Sequence, residues 1–352
     1  MTKLFSPLKI RDLTLRNRIA MSPMCQYSST DGFAAEWHHV HYGTRASGGA
    51  GLIIFEATAV SPEGRISPGD LGLWDDDHIE GLRQIVAFIH SQGSAAGIQI
   101  AHAGRKASCA LPLNGGRQLE LNNGGWQTIA PSDIPFNEGE RAPLAMSKAE
   151  ISRVTDAFRD AAARVLKAGF SVLEIHSAHG YLLHEFLSPL TNKRNDEYGG
   201  SFENRTRFLL EVVTAVRTVW PEDKPLFVRL SATDWTEGGW TIEETVRLAS
   251  LLKNAGVDLV DCSSGGNIGT AKIPVGPGYQ VQFSEAVKKT GMMSSAVGFI
   301  TTAQQAEAIL NEGKADLILL GRELLRNPYF SLNAAKELGA EIEWPVQYLR
   351  SK

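Results

Sequence analysis

A chain of 352 residues with 43% hydrophobic and 21% charged side chains can bury a sizeable core, which excludes a disordered tail or a fibre. Its length suits two domains or one large α/β barrel. The formal net charge is −4 and no basic run occurs, so nucleic acid, which needs a clustered positive field, is not an expected partner.

The opening MTKLFSPLKI lacks the apolar stretch of a signal peptide. No segment approaches the roughly 18 apolar residues of a membrane span. A cytoplasmic enzyme without membrane contact is the expectation. Within LFSPLKIRDLTLRNRIA the alternation about a turn near Arg11–Asp12 predicts a β-hairpin plugging a barrel floor. Eight short apolar runs follow, beginning near Arg18, Gly51, Ala96, Val172, Leu226, Leu259, Ser295 and Asp316. Amphipathic stretches separate them, which is the pattern of a parallel sheet with helices outside. Gly169, Gly256 and Gly313 fall where helix C-caps are needed. Eight βα units without a linker predict a (β/α)8 TIM barrel in a single domain, 1–352. The interval 105–148 is too long and contains NGG, NNGGW and APSDIP. Such loop chemistry leaving the C-terminal end of the third barrel strand predicts a long excursion that acts as a lid.

Polar residues interrupt the barrel strands. On a period of two, Glu174 and His176 share one face, while Gln99 and Arg229 sit between aliphatic neighbours. These four point into a bore that is normally apolar. Either they satisfy one another, or they meet a polar ligand. Gly298 ends the seventh strand, and Gly321–Arg322 opens a helix after the eighth. That arrangement suits a phosphate, although a helix-capping arginine is the plainer reading. His176 and His179 stand three apart, with Tyr181 two further on, where a strand gives way to a Gly-containing loop. The spacing lacks the further ligands a metal wants, so no metal is expected. Neutral imidazoles that bind a substrate oxygen, with a phenol poised to give a proton, suit it better. Cys25, Cys109 and Cys262 are far apart and form neither a disulfide framework nor a metal spacing.

The motifs SPMCQYS (22–28), QIAHAGRK (99–106), EIHSAHGYLLHEFLSPLTNKRNDEYGGSFENR (174–205), FVRLSA (227–232) and GRELLRNP (321–328) resemble, in order, those of the old yellow enzyme family. Cys25 followed by Tyr27 is similar to its thermophilic-like, or xenobiotic-reductase-like, subclass. The resemblance implies an ene-reductase with FMN across the barrel mouth. Ser22, Pro23, Met24, Cys25, Ala57 and Gln99 would contact the flavin ring. Arg229 would face its N1–C2 edge, and Gly298, Gly321 and Arg322 would hold its phosphate. His176 and His179 would bind the carbonyl of an activated alkene, Tyr27 would add a contact, and Tyr181 would donate the proton. The implied mechanism is ping-pong, with NADPH as hydride source. The resemblance also implies a homodimer or homotetramer in which Arg350 of one subunit lies near Tyr27 of another. The excursion at 107–128 is longer than in the most compact members, and no aromatic follows Arg350. Two other classes stay open: a hydrolase with Cys25 as nucleophile beside His176 or His179, and a flavin-binding redox sensor using Cys25.

Overall fold

Leu8, Ile10 and Leu15 are buried while Lys9 and Thr14 between them are exposed, so two short antiparallel strands present one apolar face. These strands, β1 (Leu8–Ile10) and β2 (Leu13–Leu15), are joined at Arg11, whose φ of +52° makes the turn. The Arg11 guanidinium is fastened by Asp258 at 2.6 Å. The computed structural model describes residues 2–352.

The hairpin face packs on Leu52, Ile54, Val172, Phe227, Leu259 and Leu319, which come from barrel strands and form a separate small core. Those strands are β3 (Ile19–Met21), β4 (Leu52–Ala59), β5 (Ala95–Ala101), and, after a small pair β6 (Ile129–Ala130) and β7 (Leu144–Ala145), β8 (Val172–Ser177), β9 (Leu226–Ser231), β10 (Leu259–Ser263), β11 (Met293–Ala296) and β12 (Leu317–Leu320). The eight close into a barrel in the order β3-β4-β5-β8-β9-β10-β11-β12, with parallel pairing throughout. Alternate aliphatic residues, such as Ile98, Ile100, Leu173, Ile175, Val228 and Leu230, face outward into the main core beneath the helices. This is the predicted (β/α)8 fold with its N-terminal plug.

Three of the helices that cover the barrel end at glycines with φ of +90°, +90° and +73°, Gly169, Gly256 and Gly313, as expected for left-handed caps. At their starts, Ser147 and Thr241 cap α-helices Lys148–Lys167 and Ile242–Asn254, each with a reciprocal glutamate three residues on. No helix among the described residues is long and apolar enough to cross a membrane.

The excursion leaving β5 contains three single-turn helices and β6–β7. It is not a free flap. Trp126 Nε1 donates to the Glu63 carbonyl at 2.9 Å, which ties the excursion to the loop after β4, and its backbone N–H donates to Ser108 Oγ at 2.8 Å within the excursion.

Because the hairpin closes the barrel floor largely by apolar burial, with the Arg11–Asp258 pair at its turn, Ile10→Ala should leave a cavity there. The expected loss is about 2–5 kcal/mol of unfolding free energy in urea titration. A loss under half of that range would mean that the floor is sealed by other contacts.

Candidate active site

Strand register brings the polar bore residues side by side. Gln99 pairs with Glu174, His176 with Arg229, and Arg229 with Asp261 across four adjacent strands. All five are buried. Gln99 Nε2 donates to Glu174 Oε1 at 2.7 Å, and Ser295 Oγ donates to Asp261 Oδ1 at 2.8 Å. Arg229 Nε stands 2.9 Å from Asp261 Oδ2. The mutual satisfaction is incomplete. Glu174 Oε2 has no partner, and among the described residues the two terminal nitrogens of Arg229 meet no acceptor. A buried guanidinium with a free edge is a donor set prepared for a ligand.

Above this layer, β8 ends in the turn that carries the histidines. His179 and Gly180 both have positive φ, +59° and +74°. A Cβ on Gly180 would lie 2.4 Å from the Gly266 carbonyl oxygen, so only glycine fits. The turn is held from several sides. The His179 N–H donates to Ser231 Oγ at 2.9 Å, and the Gly180 N–H to His184 Nδ1 at 2.9 Å. His184 Nε2 in turn faces Asp234 Oδ1 at 3.1 Å. Lys106 Nζ donates to the carbonyls of His179 and Gly266, at 2.9 and 3.0 Å.

The result is a cluster of three rings. His176 lies 5.1 Å from His179 and 5.0 Å from Tyr181 between centroids, edge to face in both cases. His176 Nδ1 accepts from the Ala178 N–H at 3.2 Å, which leaves its proton on Nε2. His179 Nε2 is 2.7 Å from Ser263 Oγ. Burial, reinforced by the Arg229 charge, holds both imidazoles well below the usual histidine range, so they are neutral. Burial likewise pushes the Tyr181 phenol well above its ordinary value, so it keeps its proton. Two neutral donors and a protonated phenol converge on one place.

On the strand-one side, Ser22 is buried and its N–H donates to the Leu320 carbonyl at 3.0 Å. The following segment is fastened by buried Glu56, which accepts from the Gln26 N–H at 2.7 Å and the Tyr42 hydroxyl at 3.0 Å. Beside it, a register shift in β4 between Phe55 and Ala57 sets Ala57 opposite Gln99. Burial pushes the Cys25 thiol well up, and the carboxylates of Asp70 and Glu56 push it further. A hydrolase nucleophile and a thiol sensor both need thiolate. The surroundings of Cys25 favour neither.

Gly298, Gly321 and Arg322 also meet, lining a cavity of about 80 Å³ between the ends of β11 and β12. Gly298 has φ of +117°, and a Cβ there would press within 2.9 Å of the Tyr279 ring. The Arg322 guanidinium stacks on Phe299 at 4.3 Å and is paired with no carboxylate among the described residues. Arg350 stands apart. It lies exposed on a turn, Val346–Ser351, whose Tyr348 hydroxyl meets that of Tyr329 at 3.3 Å.

Several residues of the site escaped the sequence reading. Asp261 breaks the apolar run LVDCSS just as Arg229 breaks its own, so the same alternation could have found it. Lys106 ends the stretch QIAHAGRK, where nothing local marks a role for it. The Ser231, Ser263 and His184–Asp234 contacts carry no local signal.

Burial also gives the bore a pH dependence. It raises the Glu174 carboxyl to about 8, so between its unfolded value near 4.5 and 8 the folded chain binds the extra proton. That contribution is fully present below pH 4.5 and is lost as pH rises towards 8. Glu174→Gln should therefore gain melting temperature relative to the parent as pH rises from 5 to 8. A constant difference across that range would show that Glu174 does not titrate in it.

Over 352 residues the chain is 54% identical to an NADPH dehydrogenase of Geobacillus thermodenitrificans, covering 99% of this chain and 98% of that one. Morphinone reductase superimposes with a TM-score of 0.79 at 31% identity, over 98% of this chain and 91% of its own. A complex of 2-naphthoyl-CoA reductase gives 0.85 at 27% identity, but the chain spans only 52% of that protein's length. Residues 3–341 match one family throughout, and the chain belongs to it: the NADH:flavin oxidoreductase / NADH oxidase family.

Proposed function

We propose that the chain is an FMN-dependent NADPH:alkene oxidoreductase that reduces the C=C bond of α,β-unsaturated carbonyl compounds and related activated alkenes. The observation that carries this reading is the convergence of neutral His176 and His179 with protonated Tyr181, next to the free edge of Arg229.

The residues present fit FMN. The unbonded nitrogens of Arg229 suit the acceptor edge of a flavin, and the glycine-lined cavity beside Arg322 suits its phosphate. Ser22, Pro23, Met24, Cys25, Ala57 and Gln99 would complete the ring contacts. When bound, FMN supplies the hydride relay from NADPH to alkene, in two half-reactions that share one site.

The chain's own residues then do the rest. His176 donates from Nε2 to the substrate oxygen. In the tautomer in which His179 Nε2 accepts from Ser263, the Nδ1 proton of that ring is free for the same oxygen. Charge that develops there meets donors already in place, and removing one such donor costs about 2.7–4 kcal/mol of barrier. Tyr181 holds the proton that the α-carbon takes, and Tyr27 adds a wall to the site.

The purified protein should be yellow, bleach with NADPH under anaerobic conditions, and recover colour with 2-cyclohexenone. Tyr181→Phe should slow the recovery about 10²-fold or more, as for loss of an acid catalyst, and leave the bleaching rate unchanged. A colourless protein that does not take up FMN would overturn the reading.

Assembly is part of the same proposal: a homodimer or homotetramer that brings Arg350 of one subunit near Tyr27 of another. Exposed Trp37 and Val40 on the helix Glu36–Ser47, with Val346 and Leu349 beside Arg350, support an interface that would cover them. A planar guanidinium suits a phenol ring and a ligand oxygen together. Deleting residues 347–352 should raise the KM for enones several-fold, as expected when a hydrogen bond to ligand is lost, while FMN content stays intact. Unchanged kinetics, or a monomer by light scattering at micromolar concentration, would remove Arg350 from the site.

A further inference from the structure

The loop after β4 carries Arg65 in SPEGRIS, and the excursion brings Trp126 back to it. The guanidinium lies 5.2 Å from the Trp126 ring centroid and 5.3 Å from that of Trp74. Its Nε donates to the Pro62 carbonyl at 2.9 Å. Among the described residues, its two terminal nitrogens meet no acceptor. Arg65 is thus held near two indole rings and by its Nε, while its two terminal nitrogens stay free.

That arginine lines an open cavity of about 570 Å³. Tyr27, Ser29, Thr30, Asn114 and Trp126 share the lining. Tyr27 links this cavity to the ring cluster, since its phenol is close enough to Tyr181 to act on that hydroxyl's ionisation. A small enone leaves most of such a space empty, whereas pockets of about 300–1,000 Å³ suit ligands of nucleotide size. Asp31 brings a carboxylate to the same wall, so no broad positive field draws anions here. Recognition would rest on the geometry of one fork.

A guanidinium that lies near two indole rings and is tied by its Nε has less rotamer freedom to lose when a ligand arrives, and its planar fork matches phosphate oxygens. The plainer role is a staple joining the excursion to the loop. Trp126 already has such a staple in its bond to the Glu63 carbonyl.

We propose that this cavity is the subsite for a phosphate-bearing part of NADPH, with Arg65 as its anion ligand. The inference rests on NADPH being the reductant. Both the 2′-phosphate and the pyrophosphate carry the required chemistry, and NADH tells them apart because it lacks only the first.

The test is anaerobic flavin bleaching of the FMN-loaded protein, reading the Kd for NADPH and for NADH in the parent, Arg65→Ala and Arg65→Lys. Arg65→Ala should weaken NADPH binding about 10-fold to 100-fold, as for one charge-assisted hydrogen bond, with partial recovery in Arg65→Lys. The KM for 2-cyclohexenone should not change. NADH affinity unchanged assigns the 2′-phosphate, and NADH weakened equally assigns the pyrophosphate. NADPH affinity unchanged in Arg65→Ala overturns the proposal. So does a loss shared with 2-cyclohexenone and accompanied by a lower melting temperature, which leaves only the staple. A parent protein that NADPH does not bleach is a separate failure, that of the reductase reading itself.

Discussion

The positive charge of Arg229 sits inside a closed barrel, and much of the chemistry around it follows from that placement. A buried cation costs several kcal/mol unless it is paired, and Asp261, its neighbour on β10, stands against Nε. A second charged carboxylate would overcompensate, and burial holds Glu174 back from ionising. Burial first, and repulsion by this cation after it, keeps His176 and His179 neutral. One guanidinium, set in a buried layer, therefore reinforces the neutrality of the two histidines as well as offering its own free edge.

The second constraint is conformational. A non-glycine residue with positive φ, such as His179, costs about 1–3 kcal/mol unless its surroundings enforce it. Here the enforcement comes from Ser231, from Lys106, and from His184, which is oriented by Asp234. These partners come from β9, from the loop after β5 and from the helix that follows the turn itself. The turn is thus a product of the whole upper rim, and the angle between the histidines and Tyr181 is inherited from it.

The barrel was legible because its strands and helices carry local signals: short apolar runs alternating with amphipathic stretches, and glycine caps. The plug was legible for the same reason. Gln99, Glu174, His176 and Arg229 stood out as polar residues in apolar runs, and the structure places all four in the bore. What could not be read was pairing at a distance. Nothing near Arg65 announces Trp126, 61 positions away, and nothing near His184 announces Asp234. The excursion reads as loop chemistry and does fold without long elements. Its attachment through Trp126, however, depends on a carbonyl that only the fold presents.

Cys25 is flanked by Glu56 and Asp70, which with burial keep its sulfur protonated. The electron-poor alkenes of the proposed function are alkylating agents, and a thiolate beside them would add to them. Nucleophilicity towards such electrophiles resides in the thiolate. Burial, with the two acids behind it, therefore gives the proposed site chemical durability: a soft, polarisable atom would stand beside reactive compounds through many turnovers without being consumed by them.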